Sequence, residues 1–238
     1  SCAGTTAGTV NYSAGNMRFC DGTDWYQTKP SHIISQQVME QSTATNTNTA
    51  LTTASSSPVT PRNLMLCWVT YNSSTQTISS MTDTAGSTYA KAVGPITGTG
   101  SLASWRQEIW YGANLVGGAN QIITATFSGV INATKAISCH EYSGAALVNP
   151  INQTSQAAGN STDANPGSIT TSVNNELIFA AVAYESTAGT SVSGFTVRST
   201  LNDNIAEDQV VATPATISTF FTNTSQRWIS SAVSVKPQ

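Results

Sequence analysis

Asp203, Glu207 and Asp208 fall close together in "LNDNIAEDQ". Two carboxyls held at different pKa values can serve as general acid and base. The same oxygens can hold Ca²⁺ when another loop adds ligands, and Asp83 in "DTAGS" is the residue placed to join them. The simpler alternative is a polar turn whose carboxylates cap backbone amides. No G-x-S-x-G elbow offers an activated serine. His140 and Glu141 are consecutive in a strand-like run, so they face opposite sides and cannot form a dyad. C-x-x-C is absent, and His32 and His140 are the sole imidazoles, a poor set for zinc or copper. No catalytic residue is expected, and no cofactor beyond a Ca²⁺ ion at Asp83, Asp203, Glu207 and Asp208.

Flat amphipathic rings suit the CH-rich faces of sugars. Trp25, Tyr26 and Trp105 stand outside the most apolar runs and are the candidate carbohydrate platforms. Trp68, Trp110 and Trp228 sit inside strand-like runs and are expected in the core.

The four cysteines allow three pairings. Cys2 and Cys20 bracket one small unit and are expected to pair. Cys67 in "NLMLCWVTYN" and Cys139 in "TKAISCHEYSG" are candidates to join two packed sheets, a bridge worth on the order of 4 kcal/mol in the chain-entropy model. Two buried free thiols are the alternative. Disulfides belong outside a reducing cytosol.

The elements that would carry these residues are strands. In 238 residues, 9% are charged and 39% hydrophobic, and Ser and Thr supply roughly a quarter of the chain. The periodic apolar runs argue against disorder. "SHIISQQVMEQSTA" alternates at least as well as it cycles at helical spacing, and its β-branched neighbours favour strand. "TATNTNTALTTASSSPVTPRN" is polar and punctuated by proline, a connecting segment ending in a turn. Short strands then follow from "LMLCWVTY" to "QRWISSAVSVK", with Thr-Ala-Gly-Ser marking a hairpin. "LIFAAVAY" is apolar almost throughout and should be central. The pattern predicts an all-β, two-sheet, jelly-roll-like sandwich over 30–238. Before it, residues 1–29 form a Cys-bracketed β-meander. Val10, Tyr12, Met17, Phe19 and Trp25 would share one apolar face of that meander, which is too small to be stable alone and needs a covering sheet.

A net charge of -3 and a pI near 5.2 offer nothing to a polyanion, so nucleic acid is excluded as a partner. No run of 18 apolar residues exists, so no membrane-spanning helix is expected. The chain starts at Ser1, as a mature secreted protein would after signal-peptide removal. N-x-S/T occurs at Asn11, Asn72, Asn132, Asn152, Asn160 and Asn223, about as often as chance gives in so Asn-, Ser- and Thr-rich a chain.

The segments "DTAGSTYAKAVGP", "QEIWYGANLVGGANQIITATFSG", "CHEYSG", "NELIFAAV", "GFTVRS" and "NDNIAEDQVV" resemble a family of secreted bacterial β-sandwich modules found in large surface proteins. The likeness covers roughly residues 33 to 236. It implies a jelly-roll-like sandwich and no catalytic residue. The first 27 residues resemble a second unit, a Cys-"AGT" opening followed by an aromatic strand and "FCDGTDW". That unit stands beside carbohydrate-binding or adhesive domains in bacterial and phage-like surface proteins.

Together these readings lead to a non-catalytic, extracellular structural protein that forms homo-oligomers or homopolymers at a cell surface. The expected donor strand is Ile33, Ile34 and Val38, hinged at Pro30, with Val10 and Tyr12 as second choice. The alternative is a glycan-binding or adhesion module of a surface or phage-like fibre.

Overall fold

The computed structural model describes residues 2, 6, 8–13, 16–20, 25–27, 32–43 and 47–238. They fall into two compact units, Ser1–Ser31 and His32–Gln238. In the first, β1 (Val10–Ser13), β2 (Asn16–Cys20) and β3 (Trp25–Gln27) form an antiparallel meander. Cys2 is bonded to Cys20 and both are buried. The Gly8 N–H donates to the Cys20 carbonyl and the Cys20 N–H to that of Thr9, lacing the approach to β1 onto β2. The register sets Val10 opposite Phe19 and Tyr12 opposite Met17, and it is Tyr26, not Trp25, that pairs with Phe19. Val10 is exposed. The side chains of Tyr12, Trp25 and Tyr26 lie outside the described residues.

The second unit is an all-β sandwich. Its strands are β4 (Ile34–Thr43), β5 (Thr47–Ala54), β6 (Leu64–Asn72), β7 (Ile78–Asp83), β8 (Tyr89–Thr97) and β9 (Trp105–Gly112). They continue with β10 (Ile122–Asn132), β11 (Lys135–Ser143), β12 (Ile151–Asp163), β13 (Ile169–Thr170) and β14 (Glu176–Tyr184). The last are β15 (Thr190–Ser191), β16 (Thr196–Ser199), β17 (Ile205–Val211), β18 (Thr216–Ile217) and β19 (Phe221–Val235). A central sheet runs β4-β11-β6-β9-β8, and a second runs β12-β19-β14-β17-β16 with β15 added on β19. These two form the sandwich. A smaller sheet, β5-β10-β7, covers the other face of the central one.

Period-two alternation explains the layering. Along β6, Leu64, Leu66 and Trp68 pack on Leu177 and Phe179 of β14 and Val233 of β19. The intervening Met65, Cys67, Val69 and Tyr71 pack on Ile123, Ala125 and Phe127 of β10. A strand buried on both faces has no polar side, which is why "LMLCWVTY" lacks alternation. The "LIFAAVAY" strand is buried in the same way: Ile178, Ala180 and Val182 meet Ile169, Phe220 and Phe221 on the outer face. Trp68, Trp110 and Trp228 are all buried.

Three local expectations are corrected. Cys67 and Cys139 are bonded, but they face each other on adjacent strands, β6 and β11, of one sheet; the bridge does not cross the sandwich. The Thr-Ala-Gly-Ser turn does not close a hairpin, because β7 pairs in the small sheet and β8 in the central one. The polar stretch after β4 contains a strand, β5, whose Leu51 and Thr53 point inward and are buried. None of the described helical segments is long and apolar enough to cross a membrane.

Candidate functional site

The expected carboxylate cluster is not brought together. Glu207 and Asp208 are consecutive in β17, so they leave opposite faces of the second sheet. Asp208 faces the central sheet, accepts the Tyr142 hydroxyl at 2.8 Å and pairs with Arg198 Nε at 2.8 Å. Asp203 lies exposed on a 3-10 turn, Leu201–Asp203. Asp83 ends β7 in another sheet, where it accepts the Ser87 N–H at 2.9 Å and the Tyr89 hydroxyl at 3.2 Å. It caps its own turn. Among the described residues no group of three or more His, Cys, Asp or Glu could hold a metal ion, so the Ca²⁺ set of Asp83, Asp203, Glu207 and Asp208 is dispersed.

Glu207 is the exception among the buried acids. It faces outward from β17, opposite Ala180 of β14, and is fully buried. Neither carboxyl oxygen has a hydrogen-bond partner of good geometry. Burial raises its pKa to about 8; the Ser191 hydroxyl opposes the rise and the Asp208 charge adds to it. The buried Tyr184 hydroxyl, whose pKa is raised by burial and by the Glu207 charge while the Asn223 side chain opposes the rise, likewise has no partner of good geometry. Gly189 covers that hydroxyl so closely that a Cβ there would strike it and the Thr222 carbonyl.

The other buried acids serve as cross-links. Glu141 accepts from Gln37 Nε2 at 2.6 Å, the Thr60 N–H at 2.8 Å and Asn63 Nδ2 at 2.6 Å. Glu176 accepts from Asn152 Nδ2 and from the Ser172 and Val173 N–H groups. His140 faces the opposite way from Glu141, as strand geometry requires, and lies in ring contact with Phe179. Its Nε2 meets the Ser138 hydroxyl at 2.9 Å, and its Nδ1 has no partner. Desolvation, helped by the Arg198 charge, lowers its pKa to about 3.

Of the aromatic platform candidates, Trp105 is the one whose side chain is described. It begins β9, is half-buried, and lines a cleft of about 210 Å³ with Thr70, Ala136, Ala183, Asn202 and Asn204. The expected donor segment, in turn, is seated at home. Ile33 is buried and Ile34 is 47% exposed, Val38 is half-buried, and β4 pairs along β11 from Thr43 to Ile34.

Sequence reasoning missed β12, the thirteen-residue strand Ile151–Asp163. It pairs with β19 along one side and forms the edge of the second sheet. Its sequence, "INQTSQAAGNSTD", lacks an apolar alternation that could have marked it. No family model, curated protein or solved structure matches the chain.

Proposed function

We propose that the chain is a non-catalytic, extracellular structural protein whose copies join by pairing sheet edges into a filament or layer. The observation that carries this reading is β12. Soluble proteins guard long edges with lysine, proline, bulges or brevity. The β12 strand is uncharged until Asp163 and contains no proline, and its register shifts fall near its two ends. Two other edges are guarded: β8 contains Pro95 and two register shifts, and β16 has four residues. A neighbour's strand laid along β12 would satisfy a row of backbone groups. Use of Ile33–Val38 as the donor would require it to leave β11 first, so β12 is the better joint. The satisfied cross-linking roles of Glu141, Glu176 and Asp208 support the non-catalytic part, since each carboxylate is held by structural donors.

Gln156 and Asn160 are exposed on β12. In Gln156→Lys/Asn160→Lys, light scattering should show association weakened by about tenfold or more, because paired lysines oppose edge-to-edge contact. The unfolding temperature of the isolated chain should stay within a few degrees. A parent protein that remains monodisperse at high concentration would end the proposal.

A second reading, glycan binding by an adhesion module, is favoured by the position of Trp105 on a cleft rather than in the core.

A further inference from the structure

The cleft beside Trp105 is the open end of the layer between the two sheets of the sandwich. Further along, that layer is filled by Leu66, Trp68 and Phe179. At this end the inward positions are small: Thr70 on β6, Ala136 on β11 and Ala183 on β14. Large side chains there would have closed the space, as they do elsewhere in the same layer.

The walls combine an indole with unspent hydrogen-bond donors. The Trp105 side chain makes no hydrogen bond among the described residues, although its backbone carbonyl accepts the Gly98 N–H at 3.0 Å. Asn204 is 7% exposed; its Oδ1 accepts the Tyr184 N–H at 3.1 Å, which fixes the amide's orientation and leaves Nδ2 without a protein acceptor. Asn202 accepts the Ser42 hydroxyl through Oδ1 at 3.3 Å, and its Nδ2 is likewise unspent. Asn202 has φ 52° and ψ 51°, the left-handed region that Asn tolerates better than most side chains. The 3-10 turn thereby sets two amides, two residues apart, along one rim.

Among the described residues that line the cleft, Glu185 is the one charged side chain. It accepts the Ser101 hydroxyl and pairs with Arg227 at 3.5 Å. An anionic ligand would meet Glu185, and a cation would find its charge already engaged. An apolar ring face bordered by neutral donors suits a molecule with a CH face and a hydroxyl edge. The volume lies below that of drug-sized sites, which limits the occupant to one ring.

We propose that this cleft binds a single neutral sugar ring, stacked on Trp105 and hydrogen-bonded by the Asn202 and Asn204 amides. The inference rests on the second reading above and is independent of assembly through β12.

The test uses the full chain and methyl glycosides of glucose, galactose, mannose and N-acetylglucosamine, with glucuronate as the charged control. Binding is followed by saturation-transfer NMR and tryptophan fluorescence. At least one neutral glycoside should bind. Trp105→Ala should weaken it tenfold or more, and so should Asn204→Asp, which keeps the acceptor for Tyr184 while removing the Nδ2 donor. Unchanged unfolding temperatures exclude a folding defect; if Trp105→Ala unfolds, Asn204→Asp carries the test. Neutral sugar binding that survives both substitutions overturns the cleft assignment and leaves glycan binding to another surface. Binding of glucuronate alone, or of none of the sugars, overturns both.

Discussion

Between pH 6.5 and 8 the unfolding temperature of the protein should fall by roughly 4–8 °C, and in Glu207→Gln it should stay level. The Glu207 carboxyl is held near 8 in the folded chain, against about 4.3 when solvated. Across that interval the folded state keeps a proton that the unfolded state has lost, so stability declines as pH rises and levels off above 8. The whole effect is on the order of 4–5 kcal/mol. The part lying between pH 6.5 and 8 is about 2 kcal/mol, which gives the temperature shift stated for a domain of this size.

His140 acts with the opposite sign. Its folded pKa near 3 lies well below the solvated value of about 6.5. The unfolded state therefore binds the extra proton, and stability is lost as pH falls from 6.5 toward 3. From about 4.5 to 6.5 the two slopes cancel, so the stability curve should rise, run flat, and then fall. Glu207→Gln should extend the rise to pH 6.5 and remove the fall. His140→Leu should remove the acid limb and start the decline near 4.5. Thermal unfolding from pH 3 to 9, followed by circular dichroism, gives all three curves. Parallel curves for parent and variants would show that these groups are not buried as described.

Neither residue could be assigned this role from the sequence, and the reason is where their surroundings come from. "TKAISCHEYS" carries Lys135, His140 and Glu141, and reads as partly solvated, yet every position from Lys135 to Tyr142 is buried. The groups that make this tolerable are remote: Asn63 and Thr60 reach Glu141 across 78 and 81 residues. By contrast, "LMLCWVTY" and "LIFAAVAY" declared their position directly, because burial on both faces requires apolar side chains at every step. The all-β sandwich was legible for that reason. Which strands are neighbours was not: alternation marks the two faces of a strand but not the sheet beyond either face. So Cys67 and Cys139 were readable as a bonded pair, while the adjacency of β6 and β11 was not. Trp105 was legible as a candidate platform, whereas its cleft depends on Asn202 and Asn204, which lie nearly a hundred residues further along. Its openness comes from Thr70, Ala136 and Ala183, small residues that carry no signal individually. The β12 edge escaped notice through the property that matters for its proposed use, a polar, uncharged sequence without an apolar face.

Glu108→Ala should cost about 5 kcal/mol, and it should loosen one sheet before the others. Glu108 stands in "QEIWYG" on β9 and is fully buried. Its carboxylate accepts the Tyr71 hydroxyl at 2.6 Å, Trp110 Nε1 at 2.9 Å and the Ile78 N–H at 3.2 Å, and pairs with Lys91 at 2.9 Å. Truncation leaves three buried donors unpaired, each worth about 1–3 kcal/mol. Ile78 opens β7, so the same carboxylate ties the small sheet to the central one. Glu108→Gln keeps an acceptor and the side-chain volume but loses the ion pair and supplies a competing donor; about half the loss is expected. Hydrogen exchange separates this account from general destabilisation. In Glu108→Ala the amides of Ile78–Asp83 should exchange faster, while those of Glu176–Tyr184, at the heart of the second sheet, keep their protection until global unfolding. A loss below 1 kcal/mol, or uniform acceleration across both strands, would mean that the small sheet is held by apolar contacts alone. The distinction bears on the proposed function, because a subunit loaded through its edges needs its sheets joined by directional bonds that resist sliding, and a buried carboxylate shared by strands of two sheets supplies one.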